Sequence, residues 1–275
     1  MCPTPIGNLE DITLRVLKVL QAVDIIAAED TRRTRKLLTH FQISTPLLSY
    51  REHNRKKQGE SLLERLEGGK EVALVSDAGM PGIADPGFEL IRDALERGIQ
   101  VEVLPGPSAI LTALLESGLP PVPFVFYGFL PPTGKKRREA LEEVVREDKT
   151  VVLYEAPHRL VKTLKEIFNY GDRPAAVCRE MTKKFAETRR GSLSEHIEHF
   201  EEHEPRGEFA LVLSPGEVEE DVPLTSIEDA VLALMGDGYT KKEAIKEVAR
   251  ERGLKKSHVY RQCHKIRPHG TAEGG

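Results

Sequence analysis

Acidic and basic side chains cluster where strands are predicted to end, at Glu29–Arg35, Tyr154–Arg159 and Arg179–Glu180, and in a surface-loop pattern at Ser49–Asn54. A carboxylate or an imidazole held at such a place can act as a general base, which contributes about 10²–10⁴-fold to a rate. One such cluster alone is more often structural, because acids near a helix start interact favourably with its dipole. Four clusters in one chain favour a catalytic site. The candidate bases are Glu29, Asp30, Glu155 and His158.

Three loops rich in glycine or proline are Thr4–Leu9, Ser76–Gly87 and Pro105–Ser108. Glycine lets the backbone approach a ligand closely, and ligands of open α/β sheets bind where loops follow the strands. Asp77 and Asp85, in the longest loop, have the charge to hold a ribose or a cation such as a sulfonium. Neither a GxxxxGK(S/T) nor a GxGxxG pattern is present, so a nucleoside triphosphatase or the usual dinucleotide site has little support.

Positive residues are concentrated in a few segments, although the formal net charge of the chain is −4. Residues Thr240–Arg267 contain ten Lys or Arg and three Glu, and shorter basic clusters span Arg32–Lys36 and Lys135–Arg138. Local patches decide contacts with nucleic acid more than the total charge does. A solvated helix face explains any single cluster, but together the clusters favour a nucleic-acid partner.

Short β-rich runs alternate with helical patterns as far as residue 215, which predicts an α/β fold with at least part of its sheet parallel. The predicted strands are Asp24–Ala28, Glu71–Ser76, Gln100–Leu104, Phe124–Phe129, Thr150–Glu155, Ala175–Arg179 and Glu208–Leu213. The predicted helices between them are Leu9–Gln21, Arg32–His40, Gly59–Leu66, Gly87–Arg97, Ser108–Ser117, Lys135–Val145, Arg159–Tyr170 and Leu193–His199.

A proline-rich linker at residues 118–123 marks the main domain boundary, because three prolines within four residues make a stiff, extended connector. We therefore expect an N-terminal α/β domain at 1–118 and a second α/β domain at 119–216.

The pattern becomes purely helical after a second boundary at Ser214–Gly216. Thr225–Glu228 and Thr240–Glu243 have the spacing of capping boxes, each before an apolar run. Two short helices around a turn, the second of them basic, predict a helix-turn-helix-like extension at 222–267.

The composition argues against several other classes of protein. Cys2, Cys178 and Cys263 are far apart and form no CxxC pair, so neither a zinc site nor a disulfide framework is expected. No apolar run approaches the 18 or so residues of a membrane span, and the first residues have no signal-peptide pattern. We expect a soluble cytoplasmic protein that needs no metal.

Five segments resemble the signatures of one known family, and they are Thr4–Asp11, Ala28–Arg32, Ser76–Pro81, Pro105–Ser108 and Glu155–Arg159. The family is the ribosomal RNA small-subunit (cytidine-2′-O)-methyltransferases, within the tetrapyrrole methylase superfamily. The resemblance implies a two-domain α/β methylase fold with a helix-turn-helix-like extension, usually as a homodimer. It also implies S-adenosylmethionine as cofactor, bound between the domains, and a cytidine ribose of the decoding centre as substrate.

The resemblance also assigns roles to individual residues. Those expected to bind the cofactor are Pro5, Asp77, Gly79, Met80, Ile83, Ala84, Pro105, Ser108, Tyr154, Ala210 and Leu211. Independently of the resemblance, the positive residues expected to bind RNA are Arg32, Arg33, Arg35, Arg51, Arg159, Arg179, Lys255, Lys256 and Arg261. We favour Glu29 or Asp30 as the base, because the neighbouring arginines can bind the RNA while the carboxylate accepts the proton.

The start of the chain departs from the family pattern, in which an apolar strand directly precedes Thr4. Here only Met1, Cys2 and Pro3 precede it. Losing a central strand removes the burial of several apolar side chains, each worth about 1.5–3 kcal/mol. We therefore expect impaired folding or cofactor binding, which a melt of a version extended by an apolar strand would reveal.

Two alternatives stay open at this point. A methyltransferase acting on a tetrapyrrole precursor would share the fold but have no use for the basic residues Arg32–Lys36 or the basic helices. A non-catalytic nucleic-acid-binding regulator would use the helix-turn-helix but leave the loop Ser76–Gly87 without a purpose.

Overall fold

The computed structural model describes residues 1–216, 227–251 and 256–265. Two compact units divide the chain after Gly216. The strands of the first unit are β1 Ile25–Ala28, β2 Leu47–Ser49, β3 Val72–Val75, β4 Phe124–Phe129, β5 Thr150–Glu155, β6 Pro174–Arg179, β7 Glu187–Ser192 and β8 Phe209–Leu213. Its helices are α1 Leu14–Ala22, α2 Thr31–His40, α3 Arg55–Glu67, α4 Phe88–Glu96, α5 Ala109–Ser117, α6 Gly134–Arg146, α7 Pro157–Phe168 and α8 Leu193–Glu202.

The first sheet has the order β2-β1-β3, and all of its strands are parallel, as the alternation of strands and helices predicts. Its side chains alternate between two apolar layers, since successive residues of a strand point to opposite faces. Ile26 and Ala28 pack in one buried cluster with residues of α1 and α2, whereas Ala27 packs in another with residues of α3 and α4. Because β1 and β3 run parallel, their carboxyl ends lie at the same edge of this sheet.

The second sheet has the order β4-β5-β8-β6-β7. Strand β4 runs parallel to β5, and the other neighbours are antiparallel. Leu153 and Leu211 belong to the large apolar cluster that includes residues of α6, α7 and α8. Val152 and Ala210 belong to the cluster on the other face, which includes Leu114 of α5. Helix α5 thus packs on the second sheet, and the domain division at 118 stays a prediction.

The strand predicted at 100–104 does not form in the described residues. Its backbone hydrogen bonds within that part of the chain are to Met1 alone, and these are too few for a strand pairing. Leu104 N donates to Met1 O at 3.1 Å, and the Met1 amino group donates to Glu102 O at 2.7 Å. Cys2 N donates to Leu74 O at 2.9 Å, so the first residues lie between this segment and β3 without forming a ladder. The expected loss of stability stays a prediction.

The sequence pattern did not predict two of the strands, β2 and β7. Strand β2 has three residues, too few for a period to show, and β7 is a polar edge strand that includes Arg189 and Arg190. The predicted helix from Leu9 is divided, because the Thr13 side chain accepts a hydrogen bond from Val16 N and starts α1 there.

The second unit is helical, with α9 Ile227–Gly236, α10 Lys241–Glu251 and α11 Lys256–Gln262. Val231, Ile245 and Val259 form its small apolar core. The capping box predicted at Thr240 is confirmed, since Thr240 N donates to Glu243 Oε2 at 3.0 Å and Glu243 N to Thr240 Oγ1 at 3.4 Å. The box predicted from Thr225, like the turn predicted around Gly253, lies outside the described residues. No helix within the described ranges is long and apolar enough to cross a membrane.

Candidate active site

Three acidic residues lie together at the carboxyl edge of the first sheet. Ala28 of β1 pairs with Val75 of β3, so Glu29, Asp30 and Asp77 follow neighbouring strands. Asp30 N donates to Asp77 Oδ1 at 2.9 Å, which ties the two strand ends together. The sequence placed these residues 47 positions apart, and the parallel pairing brings them to one site.

Glu29 is a carboxylate with one oxygen that the described part of the fold leaves without a partner. Its Oε2 atom is buried and has no hydrogen-bond partner among the described residues. Burial raises the pKa of Glu29, and the nearby charges of Asp85 and Asp77 raise it further. Burial likewise raises the pKa of Asp85, with Asp77 adding to it. A carboxyl with a raised pKa and an unsatisfied oxygen has the properties of a general base.

The carboxylate of Asp30, the other favoured candidate, is already bound to neighbouring groups. It caps α2 by accepting from Arg32 N at 2.9 Å, and its Oδ2 pairs with Arg32 Nη2 at 2.8 Å. The Arg51 guanidinium lies 3.7 Å from Oδ1. The hydrogen bonds from Arg32 hold the pKa of Asp30 well below its ordinary value, so its affinity for a proton is low.

The loop Ser76–Gly87 is joined to the first residues of the chain. Thr4 and Gly79 exchange backbone hydrogen bonds, each 2.9 Å, and Thr4 Oγ1 donates to Ser76 O at 3.1 Å. Gly79 has a φ of +78°, a conformation that favours glycine. Within the loop Met80 is half-buried, whereas Ile83 and Ala84 are exposed.

An open cleft of about 370 Å³ is lined by Asp77 of this acidic group, whereas Glu29, Asp30 and Asp85 are not among its lining residues. It is lined by Thr4, Pro5, Ile6, Gly7, Leu9, Arg33, Thr34, Lys36, Leu37, Ser76, Asp77, Ala78, Lys183 and Glu208. Arg33 and Lys36 come from α2, and Arg33 Nη1 lies 3.3 Å from Asp77 Oδ2. The cleft thus combines a carboxylate edge with cationic side chains.

Lys183 belongs to a strained loop that sequence reasoning missed. Glu180 and Thr182 have φ values of +50° and +62°, which are uncommon for residues other than glycine. Lys183 Nζ lies 3.1 Å from carboxylate oxygens of both Glu180 and Glu208. Backbone strain of this kind costs about 1–3 kcal/mol and is typical of functional sites. No local pattern announces such strain, because the contacts that hold it come from a distant strand.

The strained loop rests on the first loop of the chain. Asn8 N donates to Thr182 Oγ1 at 3.1 Å. A Cβ atom on Gly7 would lie 2.5 Å from Lys183 Cγ and 2.8 Å from Met181 O, so this position requires glycine. The Gly7 in the resemblance motif therefore has a packing reason, which is close contact with the far wall of the cleft.

The second sheet contributes Tyr154 and Ala210, which are paired in register and face the cluster that also includes Ile6. Burial raises the pKa of Tyr154 to about 12, and the charge of Asp85 adds to the effect. Ser108 accepts a hydrogen bond from Leu111 N and caps α5.

Comparison with known proteins identifies the fold and the chemistry. Residues 2–196 match the family model of the Tetrapyrrole (Corrin/Porphyrin) Methylases. The chain belongs to this family. The resemblance seen in the sequence is thereby confirmed, and the alternative of a non-catalytic regulator loses its support.

Curated relatives of the methylase match it over most of its length. It is 46% identical over 271 residues to the ribosomal RNA small subunit methyltransferase I of Bacillus subtilis, covering 96% of this chain and 93% of the relative. It is 51% identical over 212 residues to the protein of that name in Thermotoga maritima, covering 77% of this chain and 95% of the relative.

Solved structures agree on the fold of the methylase. Cobalt precorrin-4 methyltransferase, a cobalamin biosynthetic enzyme, has a TM-score of 0.59 at 19% identity and covers 78% of this chain and 92% of its own. Diphthine synthase has a TM-score of 0.62 at 13% identity, with coverages of 78% and 88%. Identities this low show a shared fold and nothing of substrate.

Leu211 lies on a different face of the second sheet from the other two cofactor residues predicted there, Tyr154 and Ala210. It is fully buried in the cluster on the opposite face of the sheet from Ala210 and Tyr154. Adjacent residues of a strand point to opposite faces, so only one of Ala210 and Leu211 can meet a ligand on the Tyr154 face.

Glu155 and Arg159, predicted as a base and an RNA contact, form a buried ion pair. Their side chains are 1% and 18% exposed, and Arg159 Nε lies 3.0 Å from Glu155 Oε1. Glu155 also accepts from Thr163 Oγ1 at 2.6 Å. This geometry does not support Glu155 as a base or Arg159 as an RNA contact. His158, one position earlier, is exposed on the first turn of α7.

The remaining predicted RNA contacts are distributed over the methylase. Arg32 and Arg35 are exposed on α2, outside the cleft, and Arg51 Nε donates to Glu29 O at 2.8 Å. Arg179 pairs with Glu187 at 3.4 Å.

In the second unit Lys256 and Arg261 are exposed on α11, and Lys255 lies outside the described residues. Among the residues described in either unit, no group of His, Cys, Asp and Glu has the arrangement of a metal site.

Proposed function

We propose that the methylase transfers a methyl group from S-adenosylmethionine to the 2′-hydroxyl of a cytidine in the decoding centre of small-subunit ribosomal RNA. The observation that carries the proposal is the buried Oε2 atom of Glu29, which has no hydrogen-bond partner in the described part of the chain. Glu29 neighbours Asp77, which lines the cleft together with Arg33 and Lys36. The names of relatives with 41–51% identity support ribosomal RNA as the substrate class.

The residues present fit a cationic methyl donor. Asp77 and Asp85 both raise the pKa of Glu29, so the three carboxylates repel one another in a partly buried place. A cation nearby relieves that repulsion, and S-adenosylmethionine, when bound, supplies an electrophilic methyl group on a positively charged sulfur. The residues proposed to hold it are Pro5, Asp77, Gly79, Met80, Ile83, Ala84, Pro105, Ser108, Tyr154 and Ala210.

Glu29 is the proposed proton acceptor. With the methyl donor bound, Glu29 would accept the proton of the ribose 2′-hydroxyl while the hydroxyl oxygen forms its bond to the methyl carbon and the carbon–sulfur bond of the donor breaks. Asp30 fixes the start of α2 instead, and Arg51 holds the backbone of Glu29 through the carbonyl. The protein's other contribution is alignment of the reactants, which is often the larger part of such a rate enhancement.

Basic residues of the cleft are proposed to bind the RNA backbone, and α2 offers a matched pair to test this. Lys36 lines the cleft, whereas its exposed neighbour Arg35 does not. Lys36→Gln should weaken RNA binding and reduce the slope of log affinity against log salt by about 0.7, the value for one single-strand phosphate contact. Filter binding across a salt series measures this. An equal loss in Arg35→Gln would show a diffuse charge effect rather than a contact in the cleft.

The proposed reaction is tested by transfer of radiolabelled methyl from S-adenosylmethionine to small subunits that lack the modification, followed by nuclease mapping. Label on the ribose of one cytidine is the expected result. Donor binding without labelled RNA would instead favour a tetrapyrrole precursor as substrate, on which this fold also acts in cobalt precorrin-4 methyltransferase.

Two partners are also proposed. The resemblance supports a homodimer, and the exposed Lys256 and Arg261 of the second unit support an RNA contact there.

A further inference from the structure

Phe129, the last residue of β4, is an exposed aromatic side chain at the carboxyl edge of the second sheet. Its exposure is 56%, whereas Leu130 after it is buried. The carboxyl ends of parallel strands are where ligands of α/β proteins bind, and β4 runs parallel to β5, which ends at Tyr154 and Glu155. Nothing in the reaction proposed above uses Phe129.

A β-bulge determines the direction of this ring. Phe126 pairs with Val152, but Gly128 pairs with Leu153 and Phe129 with Tyr154, so one extra residue is inserted between them. Gly128 has a φ of +65° at this bulge. In a regular strand, residues three positions apart point to opposite faces, so Phe129 would point away from Phe126. The bulge instead lets both rings contact Tyr154. Bulges are frequent beside active sites, where they redirect a side chain in this way.

The bulge sets Phe129 against the aromatic wall of the site. Its ring centroid lies 5.5 Å from that of Tyr154, and the Tyr154 ring lies 4.9 Å from that of Phe126. Tyr154 belongs to the face that carries Ala210 and Ile6. Phe129 is the exposed member of this aromatic row, since Phe126 and Tyr154 are half-buried.

The backbone after Phe129 is held from beneath by two arginines. Arg159 Nη2 donates to Leu130 O at 2.7 Å, and Arg137 Nη1 donates to Pro131 O at 3.0 Å. Arg137 is itself buried and its Nε donates to Glu166 at 2.9 Å. An exposed ring on so fixed a backbone loses little conformational freedom when a ligand stacks on it.

We propose that Phe129 is the stacking surface for the base of the RNA nucleotide that is methylated. This role rests on the proposed function. An aromatic face binds any nucleobase, so the adenine of the methyl donor is the other source of the same chemistry. The Phe129 ring is exposed, whereas Tyr154, the proposed donor residue that it contacts, is half-buried, which favours the RNA base over the donor as the occupant of the outer ring face.

A tryptophan probe tests the stack without needing turnover. The chain contains no tryptophan, so Phe129→Trp introduces one whose fluorescence reports on this position alone. Unmodified small-subunit ribosomal RNA should quench it, and S-adenosylmethionine should not. The matched control is Tyr170→Trp, since Tyr170 is also 56% exposed but follows the far end of α7, and it should stay unquenched.

Kinetics gives the size of the effect. Phe129→Ala should raise KM for RNA by about 10- to 100-fold, the loss of one base stack, with donor affinity unchanged. Phe129→Tyr should restore the wild-type value because it keeps the ring.

Three results would overturn the assignment: no quenching by RNA, quenching by S-adenosylmethionine alone, or a loss of donor affinity in Phe129→Ala. Failure of the wild-type chain to methylate small subunits would count against the proposed reaction. An unquenched Phe129→Trp in an active enzyme would instead count against the stacking role alone.

Discussion

Glu29→Gln is expected to slow methyl transfer by about 10²–10⁴-fold while the methyl donor still binds. The amide keeps the size of the side chain but cannot accept a proton, so the change removes the base and little else. The buried, unpartnered Oε2 and the raised pKa single out this carboxylate. Single-turnover rates with saturating RNA, together with donor affinity by calorimetry, separate chemistry from binding.

Asp30→Asn is the matched control on the neighbouring residue. Asparagine caps a helix as well as aspartate does, so α2 should keep its start. Asp30 is already paired with Arg32, and we expect a much smaller loss of rate than in Glu29→Gln. If the two variants were equally slow, or if Asp30→Asn were the slower, Glu29 would not be the base.

The raised pKa of Glu29 also gives the pH dependence a sign. A base must be ionised to accept a proton, so kcat/KM should fall as the pH drops through that pKa, at a higher pH than for an ordinary glutamate. Asp85→Asn removes a neighbouring negative charge and should therefore move this acid limb to lower pH. Burial, the larger cause of the shift, remains, so the limb should move only part of the way.

Local sequence patterns were sufficient for most elements and for the strand ends where polar residues gather. Glu29, Asp30 and Asp77 were predicted as site residues because polar residues at the carboxyl ends of parallel strands meet at one edge. The capping box at Thr240 was predicted for a similar reason, since its partner Glu243 is three residues away.

Contacts between residues far apart in the chain could not be predicted from the sequence. Lys183 and Glu208 line the cleft only because the strained loop after β6 packs on residues of the first loop. The face on which Leu211 lies depends on the parity of a strand, which a shift of one residue reverses. Phe129 was predicted to end a strand, but the bulge that redirects it is a pairing feature with β5.

Glu155→Ala is expected to destabilise the first unit by about 3–5 kcal/mol, the cost of leaving one member of a buried ion pair without its partner. Glu155 accepts from Thr163 Oγ1 at 2.6 Å and from Ala156 N at 2.9 Å, and its loss leaves the Arg159 guanidinium uncompensated. For a unit of this size the melting temperature should fall by about 6–20 °C. Calorimetry of the full chain measures it.

Exposed charges supply the control, and they separate the two roles that Glu155 could have. Glu201→Ala breaks an ion pair with Lys165 in which both side chains are 51% exposed, so it should cost less than about 1 kcal/mol. A base and a buried structural carboxylate then have opposite signatures. If Glu155→Ala melted like the wild type but lost turnover, Glu155 would act in the reaction. A lowered melting temperature, with activity retained below it, would establish that the motif Glu155–Arg159 stabilises the fold and the backbone that follows Phe129.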